Sequence, residues 1–409
     1  MPRAGWVKPQ TDQRLSDHIS IGVLTRVFPP ELVDRVVAQA SRTEQRQRLL
    51  PARVVVYYVL GLALFSQSSY EEVMRMLVDG LSWASGWRRA WQVPTKAALF
   101  KARARLGPDP LRALFDEVAV PLAAAGTAGA FYRDWRLMSI DGTCLDVADT
   151  PANAKHFGRP GSGRGAGEGA FPQLRLVGLA ECGTHALVAV ATGPQRTGEQ
   201  TLAAGVLDAL EPGMLCLADR LFYSFALWNR ARATGAELVW RTKSNHLLAV
   251  AERLADGSYL SELFASGDRR RREGVAVRVI EYAVEDPGRA STTTRYRLLT
   301  TILDPERAPA LELAALYPQR WEFESTLDEL KTHQRGARLV LRSKLPDGVI
   351  QEVYGYLCVH YAIRWLMHAV AIEAGHDPDR ISFTRTPRVA RRTTGSHPGF
   401  SPRSAPSGP

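Results

Sequence analysis

The sequence predicts an α/β protein in which an all-helical N-terminal region precedes a mixed sheet flanked by helices and interrupted by a β-rich insertion. Three observations predict it. Hydrophobic periodicity is helical up to about residue 130 and then changes to short apolar or alternating runs. The later runs follow the order strand, hairpin of two strands, helix, strand, helix, strand. Two further alternating runs, at 275–284 and 295–303, precede the next strong helix.

The elements follow in order. Pro29 and Pro30 lead into Leu32, Val33, Val36 and Val37, an i, i+3/i+4 stripe. Residues 54–65 are apolar all round and predict the buried central helix of this region. Their many β-branched side chains leave a strand as the alternative. A short helix is expected at 70–81. Thr95 caps a helix at 96–106, Gly107 stops it, and Asp109-Pro110 opens another running to 120. That pair resembles a helix–turn–helix, with Lys96, Lys101, Arg103 and Arg105 on its first helix. The small residues at 123–130 predict a linker. Beyond it, strands are expected at 136–140, 174–181, 186–192, 214–218 and 237–241, with helices at 197–210 and 222–234. Helices at 318–336 and 349–374 close the fold. From Arg380 the composition predicts a disordered tail. The domains expected are therefore 1–130, helical; 131–375, built on the mixed sheet, with its insertion at about 245–310; and 380–409, the tail.

The 409 residues carry a net charge of +10, unevenly spread. Residues 1–130 hold 17 basic and 11 acidic side chains, and 380–409 hold six Arg and no acid. The stretch between is slightly acidic. Basic flanks around an acidic middle suit a polyanion handled by carboxylates. The four cysteines show neither C-x-x-C nor zinc spacing and predict reduced thiols of a reducing, cytoplasmic compartment. The longest apolar run, 54–65, is too short to span a bilayer, and no signal peptide is evident in the first 30 residues.

Asp141 and Asp219 each follow a short apolar strand, where α/β sheets present catalytic groups. Alone, each reads more readily as a turn residue than as a catalytic one. Tyr317, Arg320, Glu324 and Lys331 are spaced three, four and seven apart. At about 100° per residue they fall within roughly 60° of one helix face. Phe323, Leu327 and Leu330 form the adjacent apolar stripe. The plain alternative is an amphipathic surface helix, but Glu324 and Lys331 are two turns apart, too far for a simple i, i+4 pair. Three carboxylates from two strand ends and a helix could hold two Mg²⁺ ions, one beside the attacking oxygen and one beside the leaving oxygen of a phosphodiester. Arg320 and Lys331 would then hold phosphates.

Asp141-Gly-Thr, Asp219-Arg-x-Phe-Tyr and Tyr317-x2-Arg320-x3-Glu324-x6-Lys331 resemble the signature of bacterial DDE transposases of the insertion-element-4 type. The three motifs occur in that family's order across roughly residues 131–370, and the N-terminal region is similar to the family's helical domain. The resemblance implies an RNase H-like core with a β-rich insertion between Asp219 and Glu324. It implies Asp141, Asp219 and Glu324 as catalytic metal ligands. It also implies Tyr317, Arg320 and Lys331 as contacts to transposon-end phosphates, joined by Arg220 from its position. The cofactor would be two Mg²⁺ ions, with Mn²⁺ substituting. The partners would be double-stranded DNA, as terminal inverted repeats and target, and a second copy of the chain in a synaptic homodimer. Cut-and-paste transposition in a nucleoid-associated cytoplasmic protein is the activity expected. A catalytically silent DNA-binding derivative and a structure-specific nuclease are the alternatives.

Other candidates take plainer readings. Glu322 lies on another side of the helix from Glu324. Asp328 and Glu329 are expected in solvent, Asp146 in a loop, and Glu199 as a helix cap. His333 and His360 are isolated. The stretch 158–169 has six glycines and predicts a surface loop, whose Arg159 and Arg164 could touch phosphate. The run Arg269 to Arg272 reads equally as a solvated loop or a DNA contact. Trp240 and Trp321 are expected in the core, with base stacking as the alternative.

Overall fold

The structure is a computed structural model that describes residues 24–45, 50–75, 77, 94–161, 169–268, 270–285, 293–334, 340–378, 381–383 and 386. Arg164, Arg269, residues 76 and 78–81 of the helix expected over 70–81, and nearly all of the Arg-rich tail lie outside the described residues.

The N-terminal helices form as their patterns require. Helix α1 (Pro30–Gln39) starts on a proline and buries Leu32, Val33, Val36 and Val37. Helix α2 (Ala52–Leu64) is buried on every side, which decides against a strand: packing from all round overrides the β-branched preference. In α3 (Lys96–Leu106) Thr95 Oγ1 accepts from Ala98 N–H at 3.3 Å, and Gly107 ends the helix at φ 68°. Helix α4 (Asp109–Val118) follows. Arg103 faces inward. It donates to Gln351 Oε1, Ser343 Oγ and the Gly348 carbonyl, so it does not belong to a DNA-facing basic row.

Ten strands form one sheet: β1 (Phe131–Tyr132), β2 (Trp135–Asp146), β3 (Gln173–Glu181), β4 (Leu187–Pro194), β5 (Met214–Ala218), β6 (Glu237–Arg241), β7 (Glu252–Arg253), β8 (Tyr259–Leu263), β9 (Val275–Glu285) and β10 (Thr293–Thr300). The order is β4-β3-β2-β5-β6-β10-β9-β8-β7, with β1 on β2. Strands β2, β3 and β4 are antiparallel, while β5 and β6 run parallel to β2, the RNase H-like arrangement. The insertion is not a separate layer, because β10 pairs with β6 and carries the same sheet onward.

Two expectations are corrected here. Strand β2 does not end at Ile140: it continues to Asp146, because β3 pairs with it from Met138 to Asp146. Asp141 is therefore mid-strand, and Asp146, expected in a loop, closes the strand. The helix expected at 318–336 is broken into a 3₁₀ turn (Tyr317–Trp321), helix α9 (Glu322–Asp328) and a π-helical turn (Glu329–Gln334), and helix α8 (Ala310–Leu316) leads into this composite segment.

Helices cover both sheet faces. Short α5 (Pro151–Phe157) follows β2. Helices α6 (Glu199–Val206) and α7 (Phe225–Ala233) cover the face bearing Ile140, Ala218 and Trp240. The other face receives the composite segment. Long α10 (Pro346–Ala374) shares an apolar core with α1–α4, with Leu174 and Leu176, and with Phe323. Residues 123–130, expected as a linker, are tied to the sheet: Leu122 and Ala123 N–H donate to Glu181 Oε2 at 2.8 Å, and Glu181 pairs with Arg136.

Gly178 pairs with Asp141 across β2 and β3, and Phe323 rests on it. A Cβ there would lie 3.2 Å from Phe323 Cζ and 3.1 Å from Leu187 Cδ2. Gly178→Val should destabilise the fold by roughly 1–3 kcal/mol through overpacking, read as a lower denaturant midpoint at unchanged slope.

Candidate carboxylate site on the central strands

Parallel register brings the two aspartates together. Ile140 pairs with Ala218, the last residue of β5, so Asp141 and Asp219 occupy the next positions on neighbouring strands. Asp219 begins a tight turn in which its Oδ1 accepts from Leu221 N–H at 3.0 Å. Asp141 Oδ1 accepts from Gly142 N–H at 2.7 Å, and its Oδ2 accepts from Arg320 Nη1 at 3.2 Å. Burial raises the pKa of Asp141 above the ordinary carboxylate value. The nearby Glu324 and Asp219 charges add to this, while Gly142 N–H and Arg320 oppose it.

The composite segment lies across β2. Ser139 Oγ donates to the Arg320 carbonyl, Arg320 pairs with Asp141, and Lys331 Nζ donates to Thr143 Oγ1 at 2.9 Å. These strand residues alternate by two, so they share one face. Arg320 Nη2 also stands 4.0 Å from Glu324 Oε1, linking the first and third carboxylates. Glu324 is half exposed and Lys331 is exposed. Tyr317 and Arg320 are buried: Tyr317 Oη donates to the Ala218 carbonyl at 3.1 Å, directly before Asp219. Burial pushes the Tyr317 pKa up. Arg320 packs under Trp321, 4.4 Å from its ring centroid, and its Nε has no partner among the described residues. Arg220 is exposed beside Asp219. All seven residues singled out by the sequence thus gather around the middle of β2 and the C-terminal end of β5, Tyr317 and Arg320 in a buried layer and the others partly or fully toward solvent.

Other readings change. Trp240 is fully buried in the core, which removes it as a stacking surface, whereas Trp321 is 54% exposed. Glu199 caps nothing; Gly198 occupies the cap position, and the Glu199 carboxyl carbon lies 3.3 Å from where a Gly142 Cβ would stand. Arg159 donates to the Gly169 and Ala170 carbonyls and pairs with Asp149, so it braces its own loop. Glu329, expected in solvent, is buried, and His360, expected to be isolated, is one of its partners. The His333 side chain lies outside the described ones.

The sequence reading missed an aromatic stack. Ala218 pairs with Trp240, so Arg241 stands beside Asp219. The Arg241 guanidinium lies 4.2 Å from the Tyr296 ring centroid, and Tyr296 stacks on Tyr282 with centroids 5.2 Å apart. The alternation of Tyr282 and Tyr296 in their strands was the available signal; that β10 pairs with β6 was not readable.

Residues 134–361 match the family described as Transposase DDE domain, and residues 18–116 match Insertion element 4 transposase N-terminal. The chain belongs to the DDE transposases of the insertion-element-4 type. This transposase is 29% identical over 385 residues to Transposase InsG for insertion sequence element IS4 of Escherichia coli (strain K12), covering 92% of this chain and 84% of the relative. It is 24% identical over 230 residues to Putative transposase InsZ of the same organism, covering 56% and 74%. Among solved structures, a piggyBac transposase synaptic complex with hairpin DNA aligns over 92% of this chain and 80% of the other, at a TM-score of 0.48 and 12% identity. The transposase thus catalyses transposition of an insertion sequence. Among its described residues, no helix is long and apolar enough to cross a membrane.

Proposed function

We propose that Asp141, Asp219 and Glu324 are the catalytic carboxylates of this transposase, acting on double-stranded DNA at the ends of its element. The observation that carries this is the adjacency of Asp141 and Asp219 in parallel register, with Arg320 linking Asp141 to Glu324. The donor set suits a hard divalent cation, since all three groups supply oxygen and the charges of Glu324 and Asp219 already make ionisation of Asp141 costly. Among the described residues, no three His, Cys, Asp or Glu side chains are already drawn together as a metal cluster, so binding would have to bring these carboxylates closer. Mg²⁺, or Mn²⁺ in its place, would neutralise these carboxylates and stabilise the charge that develops on a phosphodiester under attack.

The chain's own groups align the reactants. Water attacks the phosphorus at the element end and the bond to the 3′ oxygen breaks; the freed 3′-hydroxyl then attacks a target phosphodiester, forming a new P–O bond as the target's own 3′ oxygen leaves and takes up a proton. Lys331 and Arg220, both exposed, hold phosphates beside the carboxylates. The stack of Arg241, Tyr296 and Tyr282 offers a flat surface on which an unstacked base could lie. The helical region 1–130 binds the terminal inverted repeat, and two copies pair the ends. Labelled element ends incubated with a supercoiled target test this reading. Cleavage followed by joining is expected; cleavage without joining would mark a nuclease, and binding without cleavage a silent derivative.

The raised Asp141 pKa also gives a linkage test. Protons compete with the cation most below that pKa, so the rise in thermal midpoint caused by Mg²⁺ should grow as pH climbs through it and then level off. Calorimetric scans across the acid range and up to neutral pH, with and without Mg²⁺, measure it. A rise that is flat down to the ordinary carboxylate range would remove Asp141 as a ligand.

A further inference from the structure

Glu329 is a buried carboxylate for which the chemistry above has no use. It opens the π-helical turn that follows α9, five residues after Glu324. Its Oε2 accepts from Arg364 Nε at 2.8 Å and lies 3.1 Å from His360 Nε2. Its Oε1 is contacted by Arg364 Nη2 and lies 3.1 Å from His185 Nδ1. The other ring nitrogen of His185 reaches Glu322 Oε2 at 2.5 Å. His185, in the turn between β3 and β4, therefore staples Glu322 to Glu329 across the two helical turns that carry Glu324. His360 and Arg364, four residues apart on α10, grip the same carboxylate from a second element. Although burial raises the Glu329 pKa, hydrogen bonds from His185 and His360 and the charge of Arg364 bring it far below the ordinary value.

The need for such a clamp follows from local geometry. Helix α9 has only seven residues, with a 3₁₀ turn before it and a π turn after it. A seven-residue helix has few hydrogen bonds of its own to fix its rotation. Phe323, Thr326, Leu327 and Leu330 seat it on the core, but apolar packing is not directional. A carboxylate with three cationic or imidazole partners is directional, and π turns recur at functional sites.

We propose that Glu329, held by His185, His360 and Arg364, is a positioning residue that sets the rotation of the Glu324-bearing helix, and through it the affinity of the carboxylate site for a divalent cation. This rests on the assignment of Glu324 as a ligand.

The test is Mn²⁺ binding to the full-length chain without DNA, followed by the electron paramagnetic resonance of free Mn²⁺, so that no turnover is involved. Glu329→Gln keeps the side-chain volume and should weaken Mn²⁺ about 10-fold, the lower end of what outer-sphere partners of a metal site produce. Hydrogen exchange in the peptide spanning 322–334 should rise with it. Asp256→Asn serves as a stability control, because Asp256 pairs with buried Arg278 in the insertion, outside the carboxylate site. Arg364→Lys keeps the charge but loses the paired donors, and should weaken Mn²⁺ about 3-fold even if Glu329→Gln fails to fold. A folded Glu329→Gln chain with wild-type affinity overturns the proposal, as does an equal loss in Asp256→Asn. If Glu324→Gln also leaves Mn²⁺ affinity unchanged, the ligand assignment itself fails, which is a separate result.

Discussion

Alanine at Asp141, Asp219 or Glu324 should lower metal-dependent cleavage of element ends by about three orders of magnitude or more, while leaving end binding within a few-fold of wild type. The size follows from the several kcal/mol of transition-state charge stabilisation that a metal site supplies, each 1.36 kcal/mol being about tenfold in rate. The three losses should also not add. The carboxylates act as a unit, so a double variant should be little worse than either single one. Gel-shift and strand-cleavage measurements on the same preparations separate the two readouts. Substantial cleavage by any one variant would remove that residue from the site. Sparing of binding is expected because the carboxylates are anionic and contribute nothing favourable to phosphate contacts in the absence of metal.

Arg320→Ala should be the most damaging of the cation substitutions, and for a reason other than lost phosphate contact. Arg320 is buried, and it pairs with Asp141 while reaching toward Glu324. Its removal leaves Asp141 buried without its counter-charge, which for a broken buried pair costs about 3–5 kcal/mol. Partial exposure of Asp141 puts the expectation at the lower end, about 3 kcal/mol. The Asp141 pKa, already raised, should rise further, moving the acid limb of the cleavage–pH profile to higher pH. Mg²⁺ should restore part of the stability, because a dication replaces the missing charge. Lys331→Ala contrasts with it: the exposed ammonium should cost little stability but weaken end binding and flatten its salt dependence. Denaturant titration, pH profiles and salt-dependent binding on both variants distinguish a buried positioning cation from a phosphate contact. Loss of end binding in Arg320→Ala without loss of stability would reverse the assignment.

The residues of the proposed site were legible in the chain as a spacing pattern. Asp219 directly follows β5, and the interval from Tyr317 to Lys331 survives the break-up of the helix into 3₁₀, α and π pieces, since Tyr317, Arg320 and Lys331 each still meet β2 or β5 and Glu324 faces Arg320. Local patterns likewise fixed α1, α3, β5 and β6 to within a residue or so, where apolar periodicity and a cap or glycine agreed. Errors arose where a distant partner decided the outcome. Strand β2 runs six residues past Ile140 because β3 satisfies its backbone groups. Strands β7 and β8 escaped notice because they are short and complete the edge only after β9 is in place.

The sequence by itself determined the family and the order of the main elements, and it singled out the three carboxylates proposed for the site, because hydrophobic period and residue spacing are properties of consecutive positions. The tertiary structure alone decided which charges are buried. Arg103, Arg320 and Glu329 look like surface residues in the chain, yet each is enclosed by partners more than 25 residues away. Burial of a charge depends on whether those partners arrive to compensate its desolvation. Nothing in the local sequence carries that information, which is why the layer that supports the carboxylates became visible only in the folded chain.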